Sequence, residues 1–219
     1  MAQLVSVNLG KLRPNAAGVG GLSGIDKRPA AGPVAVSAPG EPGGAGLAGD
    51  RIVDTGHHGG PDQAVYAYAV EDLRAWSAEL GRPLPPGCFG ENLTTEGVDV
   101  TGARIGERWR VGDTLLQVTL ARIPCATFAT WLGEQQWVRR FAERGAPGAY
   151  LRVLEPGELA AGDPVTVVHR PAHEVTIGSS FRALMFDADL LPHVLTAGDD
   201  VPDAIRRRVL RRLRAATGA

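Results

Sequence analysis

Thr114-Leu115-Leu116-Gln117-Val118-Thr119-Leu120-Ala121-Arg122-Ile123-Pro124-Cys125 contains the strongest apolar run in the chain, and it ends on a thiol. Residues 115–121 have the aliphatic and β-branched character of a buried strand, and Pro124 removes a backbone donor where that strand must stop. Cys125 therefore stands between a strand end and a helix-prone segment, residues 126–132. On either side lie further β-leaning runs: LVSVNL, PVAVS, DRIVD, AVYAY, GENLTT, ERWRV, GAYLRVLE and PVTVVHR. They recur about 8 to 20 residues apart, with turn signals such as Val111-Gly112-Asp113 and Glu155-Pro156-Gly157 between them. Many short strands without regular βα alternation predict a mainly β protein, an antiparallel barrel or sandwich.

A few helices interrupt the strands. Val70, Leu73, Ala75, Trp76 and Leu80 share one face of a helix that Gly81 stops. Residues 126–132 and 135–144 form a second helical stretch, broken at Gly133. Past Arg170-Pro171 the character changes, and residues 176–185, 189–195 and 202–216 read as three short helices, Pro202 suiting a first turn. The expected organisation is a β domain over residues 1–170 and a three-helix extension over 173–216.

The chain has 219 residues, 44% of them hydrophobic, which is enough for a core and excludes global disorder. Two cysteines cannot form a disulfide framework, no stretch reaches the roughly 18 apolar residues of a membrane helix, and the first residues lack a secretory run. The expectation is a cytoplasmic protein that does not engage a membrane. A formal net charge of −1 gives no global attraction to nucleic acid. Six arginines do crowd residues 206–214, but Ile205, Val209 and Leu213 recur every four positions, which describes a helix with one packed and one solvated basic face.

The motifs differ in weight. Gly18-Val19-Gly20-Gly21-Leu22-Ser23-Gly24 lacks the helix that a dinucleotide loop must open into, because Ile25-Asp26-Lys27-Arg28-Pro29 follows it. His57-His58-Gly59-Gly60-Pro61-Asp62 gathers two imidazoles and a carboxylate in one loop, which suits either an anion or metal site or a solvated turn. Phe89-Gly90-Glu91-Asn92 adds a carboxylate and an amide of the kind found at turns. Cys125, near Arg122, has the setting that favours a thiolate, a soft metal ligand and a nucleophile; its alternative is a small core residue. Cys88 has no adjacent cation and reads as a packing residue.

Taken in order, Gly10-Lys11, Ser23-Gly24-Ile25-Asp26-Lys27, Gly46-Leu47-Ala48-Gly49-Asp50, the His57 to Val65 segment, Phe89-Gly90-Glu91-Asn92-Leu93, Arg122-Ile123-Pro124-Cys125 and Gly148-Ala149-Tyr150 resemble the MOSC domain family. That family is named for the C-terminal domain of molybdenum cofactor sulfurase, and the resemblance is to its bacterial, YiiM-like branch linked to resistance to 6-N-hydroxylaminopurine. It covers residues 3–169, and residues 173–215 resemble that branch's helical extension.

The resemblance implies a MOSC-type β-barrel that binds a molybdenum cofactor, with Cys125 as thiolate ligand of the metal. It implies Lys11, Lys27, Arg28 and Arg122 as cations for the pterin phosphate. His58, Asp62 and Asn92 would line the site and serve catalysis beside Cys125, and His57, Gly59, Gly60, Gly90 and Glu91 would complete the cofactor pocket. The implied reaction reduces an N-hydroxylated nitrogen to an amine, with electrons from an unidentified donor protein and oxygen leaving as water. A cofactor or persulfide carrier, and a nucleic-acid docking module acting through the arginine-rich tail, are the rival functions. The oligomeric state, monomer or homodimer, is left open.

Overall fold

The computed structural model describes residues 1–40 and 43–217. Ten strands form among these residues: β1 (Gln3–Pro14), β2 (Leu22–Pro29), β3 (Val34–Val36), β4 (Val65–Ala69), β5 (Leu93–Glu96), β6 (Arg108–Val111), β7 (Thr114–Ala121), β8 (Ala149–Glu155), β9 (Gly157–Leu159) and β10 (Val165–His169). Six α-helices accompany them: α1 (Val70–Leu80), α2 (Ala126–Leu132), α3 (Trp137–Arg144), α4 (Ile177–Met185), α5 (Leu191–Leu195) and α6 (Asp203–Thr217).

Eight strands make one sheet in the order β10-β6-β7-β8-β4-β5-β1-β2, and β3 pairs with β9 in a small second sheet. Every ladder of the large sheet is antiparallel except β4 with β5. The expected mainly β barrel is met only in part, because the sheet is mixed, its ladders do not close, and six helices pack around it. It curls far enough that Gln3 of β1 bridges Pro164 beside β10, with Leu4 N donating to Asp163 O at 2.9 Å and Val165 N to Ala2 O at 3.0 Å. β2 is left beyond this junction as the free arm of a β1/β2 hairpin.

β4 separates two cores. Its side chains alternate in direction, so Val65, Ala67 and Ala69 join the aliphatic core while Tyr66 and Tyr68 join an aromatic one. The aromatic core holds Tyr66, Tyr68, Trp76, Phe89, Phe128, Trp137 and Phe141, contributed by β4, α1, α2, α3 and the loop before β5. The Trp76 and Trp137 rings are 4.6 Å apart, and Phe128 meets Phe141 edge to face at 5.2 Å, arrangements that favour the ring quadrupoles.

Two segments differ from the sequence reading. Residues 50–54 (DRIVD) are irregular rather than a strand, and the glycine-rich segment beginning at Leu22 is strand β2. Gly24 explains the second difference: a Cβ there would lie 1.9 Å from the Arg51 carbonyl oxygen. Glycine marks the place where loop 50–54 presses on the strand, not a nucleotide loop. Part of the Gly40–Gly49 loop, residues 41 and 42, lies outside the described residues.

The three C-terminal helices share the aliphatic core of the sheet. Phe181, Leu191, Val194, Ile205 and Val209 belong to the same buried cluster as Val118 and Leu151. α4 opens with a capping box at Thr176, and Ile177 N donates to Ala103 O at 2.9 Å. Phe181→Ala is therefore expected to cost about 3–5 kcal/mol and to lower the midpoint of a single cooperative unfolding transition. Calorimetry that resolved a separate low-temperature transition for the helices would contradict this shared core.

Candidate functional site

The aromatic core, the β1/β2 hairpin and loop 50–60 line a partly open cleft, the concave kind of surface that small-molecule and cofactor sites use. Strand β7 delivers Arg122 to its floor, and Pro124 ends the strand so that Cys125 becomes the first cap of α2. Lys27, Asp50, His58, Asn92, Tyr66 and Tyr150 complete the polar lining.

Arg122 is buried, yet among the described residues no carboxylate pairs with it. One guanidinium nitrogen donates to Phe89 O at 2.8 Å, and the group lies 3.7 Å from the centre of the Phe128 ring, a cation–π contact. Burial opposes its charge, but the neighbouring Tyr66, Tyr150 and Cys125 groups hold its pKa above the ordinary guanidinium value. Cys125 thus sits within the electrostatic reach of a fixed, unneutralised cation.

The opposite wall is a satisfied knot. Asp50 accepts from Lys27 Nζ at 2.5 Å, from Asn92 Nδ2 at 2.8 Å and from Gly10 N at 2.6 Å. Burial raises the Asp50 pKa, but Lys27 outweighs it and leaves the carboxyl below its usual range. Asn92 also donates to Asn8 O and accepts from Tyr66 N, so its amide ties β1, β4 and β5 together. It lines the cleft as a positioning group with every bond committed. Lys27 likewise enters the cleft with its charge already neutralised.

His58 turns inward. Burial, reinforced by the Arg122 charge, lowers its pKa, and its Nδ1 lies 3.5 Å from Tyr150 Oη, the outer limit of a hydrogen bond. Gly59 allows the turn, at φ +77° and with a would-be Cβ 2.5 Å from Gly43 O. His57 points into solvent and pairs with Asp54 at 3.0 Å. Neutral His58 beside a Tyr150 whose pKa burial raises makes a pair able to hold and pass one proton.

Of the residues expected from sequence, the structure brings Cys125, His58, Asn92, Lys27, Arg122, Gly59 and Gly90 to the cleft. It places Lys11, Arg28, His57, Gly60, Asp62 and Glu91 outside its lining. Lys11 is exposed on β1, and Arg28 bonds Asp26 at 2.6 Å. Asp62 is held by Arg152, and Glu91 accepts from Gly87 N, Phe89 N and Thr94 Oγ1, shaping the loop behind Arg122. Cys88 lines a second cavity, and burial pushes its thiol pKa up. Asp50, Arg51, Tyr66 and Tyr150 are among the lining residues that the sequence reading does not single out as site residues. Asp50 and Tyr150 lay inside quoted motifs, Tyr66 inside a strand run, and Arg51 carried no signal beyond its neighbour.

The MOSC domain model matches residues 54–166. The chain belongs to the MOSC domain family. YflK of Bacillus subtilis, described as uncharacterized, is 33% identical over 188 residues, spanning 84% of this chain and 81% of YflK. A protein named Reductase from Gibberella moniliformis is 32% identical over 173 residues, 77% of this chain but only 29% of that longer protein. The crystal structure of YiiM from Geobacillus stearothermophilus superposes with a TM-score of 0.78 at 28% identity, covering 97% of this chain and 100% of that one. The chain is a YiiM-like MOSC protein. No helix among its described residues is long and apolar enough to cross a membrane.

The Asp50 knot has a measurable consequence. Lys27→Met leaves a buried carboxylate uncompensated and is expected to cost about 3–5 kcal/mol in chemical denaturation. Because the folded Asp50 pKa lies below its unfolded value, its stabilisation is present above about pH 4 and lost as pH falls through the folded value. Asp50→Asn should flatten that acid limb of the stability profile; an unchanged limb would contradict the assignment.

Proposed function

We propose that this MOSC protein binds a molybdenum cofactor in the cleft and reduces N-hydroxylated small molecules, such as hydroxylated purine bases, to amines. One observation carries the reading: the cleft's single thiol, Cys125, stands beside a buried guanidinium that has no carboxylate partner among the described residues. Among the described residues no group of three or more His, Cys, Asp or Glu side chains is placed to hold a metal ion. The donor set therefore fits a metal that arrives with most of its ligands and takes one soft sulfur from the protein. The fold-level likeness to YiiM and the relative named as a reductase support the same direction.

Each residue has a part in this reading. Cys125 supplies the sulfur ligand, and Arg122 offers a fixed positive charge to the anionic faces of the group beside it. Arg51 is exposed, lines the cleft and has no side-chain partner among the described residues, so it suits the pterin phosphate better than Lys27, which Asp50 neutralises. When bound, the cofactor supplies the two-electron redox chemistry. The protein orients the substrate nitrogen, and His58 with Tyr150 passes a proton to the departing oxygen. The electrons come from a partner protein, and we place the reaction in the cytoplasm, where free thiols such as Cys88 and Cys125 persist.

Protein produced in a host competent for molybdenum cofactor synthesis tests this directly. Loss of groups that merely orient metal ligands costs about 10–100-fold, so Cys125→Ser should lose more than that in reduction of 6-N-hydroxylaminopurine while remaining folded. Cys88→Ser should match the parent. Equal turnover of parent and Cys125→Ser would overturn the reading, and a persulfide on Cys125 without molybdenum would favour a sulfur carrier.

A further inference from the structure

The β1/β2 hairpin that walls the cleft carries an unusual outer surface. Leu12, Val19 and Leu22 are 53%, 56% and 43% exposed at its tip, and Val19 and Leu22 also line the cleft mouth. Residues 3–29 contain four cations, Lys11, Arg13, Lys27 and Arg28, and one carboxylate. That carboxylate, Asp26, is buried beneath Arg13 and Arg28, which bond it at 2.8 and 2.6 Å. Lys27 is buried against Asp50. The exposed charges of the hairpin are therefore all positive, and Arg51 adds another at the mouth, in a chain whose formal net charge is −1.

The tip is also pre-organised. Asn15 Nδ2 donates to Thr127 O at 3.0 Å and Thr127 Oγ1 donates to Ala17 O at 3.0 Å, fastening the tip to α2, the helix that Cys125 caps. Exposed apolar side chains ringed by one sign of charge mark interaction sites, and small, electrostatically steered interfaces suit transient redox encounters.

We propose that this hairpin tip is the docking surface for an acidic electron-carrier protein, the donor that the proposed reductase reading requires. Two reduced carriers docking there in turn each give up one electron and are themselves oxidised, supplying two electrons in all. With two protons from solvent, these convert an N–OH group and release water, so atoms and charge balance. The arginines of α6 do not offer an equivalent surface, since no α6 residue lines the cleft and Arg206 and Arg212 are engaged with backbone carbonyls.

The test uses the full chain with two acidic carriers as probes, a flavodoxin and a plant-type ferredoxin. Association, followed by calorimetry and NMR, should occur with at least one carrier at low salt, weaken at least tenfold between about 50 and 200 mM salt, and shift hairpin resonances. Leu12→Glu combined with Arg13→Gln should weaken it at least tenfold. In cofactor-loaded protein the double variant should lose carrier-driven turnover yet keep turnover with dithionite-reduced viologen. Absence of salt-sensitive binding to either carrier, equal binding by the double variant, equally tight binding of duplex DNA, or self-association through the tip would each overturn the docking proposal. If the purified protein carries no molybdenum, the reductase reading fails, while the binding arm still decides the docking surface.

Discussion

A buried guanidinium with no carboxylate partner among the described residues is the constraint around which this protein is arranged. Removing a cation from water costs several kcal/mol, and Arg122 meets that cost with one carbonyl, an aromatic face and two tyrosines. Each compensating group comes from a different element: Phe89 from the loop before β5, Phe128 from α2, Tyr66 from β4 and Tyr150 from β8. The buried Glu91 takes part at one remove, since it accepts the Phe89 N–H while Arg122 bonds the Phe89 carbonyl. What stays unbalanced among the described residues is a positive charge at the floor of a cleft, a setting that suits a bound anion.

The two cores follow from the same strand. β4 is buried on both faces, so its aliphatic side chains belong to the core shared with α4, α5 and α6 while its tyrosines belong to the aromatic cluster. Opposite Arg122, Asp50 and Asn92 lock the hairpin and β5 into position with charge-assisted bonds. The cleft thus has one wall whose charges are matched internally and one whose charge is not, which gives a ligand a defined side on which to place its anionic part.

Much of this was legible in the sequence where local chemistry and tertiary packing agree. Helix 70–80 ends at Gly81 and helix 126–132 at Gly133, both left-handed caps, and each matches the expected span. Strand β7 follows from its unbroken apolar run. The misreadings share a cause. β2 was hidden because a glycine required by close contact with Arg51 resembles loop chemistry, and residues 50–54 looked like a strand although Asp50 spends its carboxylate across the cleft. Among the charged candidates, Asp62, Glu91 and Arg28 have the residue types of a site and lie outside the cleft lining: Glu91 and Arg28 are held by near neighbours in sequence, and only the folded chain brings Arg152 to Asp62. His57 and His58, identical in sequence terms, are separated by the direction in which Gly59 turns the loop.

The protein's proposed contribution is one sulfur, from Cys125, to a metal held in this cleft. X-ray absorption at the molybdenum edge of the cofactor-loaded protein measures this most directly. One more sulfur neighbour around molybdenum in the parent than in Cys125→Ser is the predicted result; the same sulfur shell in both proteins, or no molybdenum in the parent, would contradict the account.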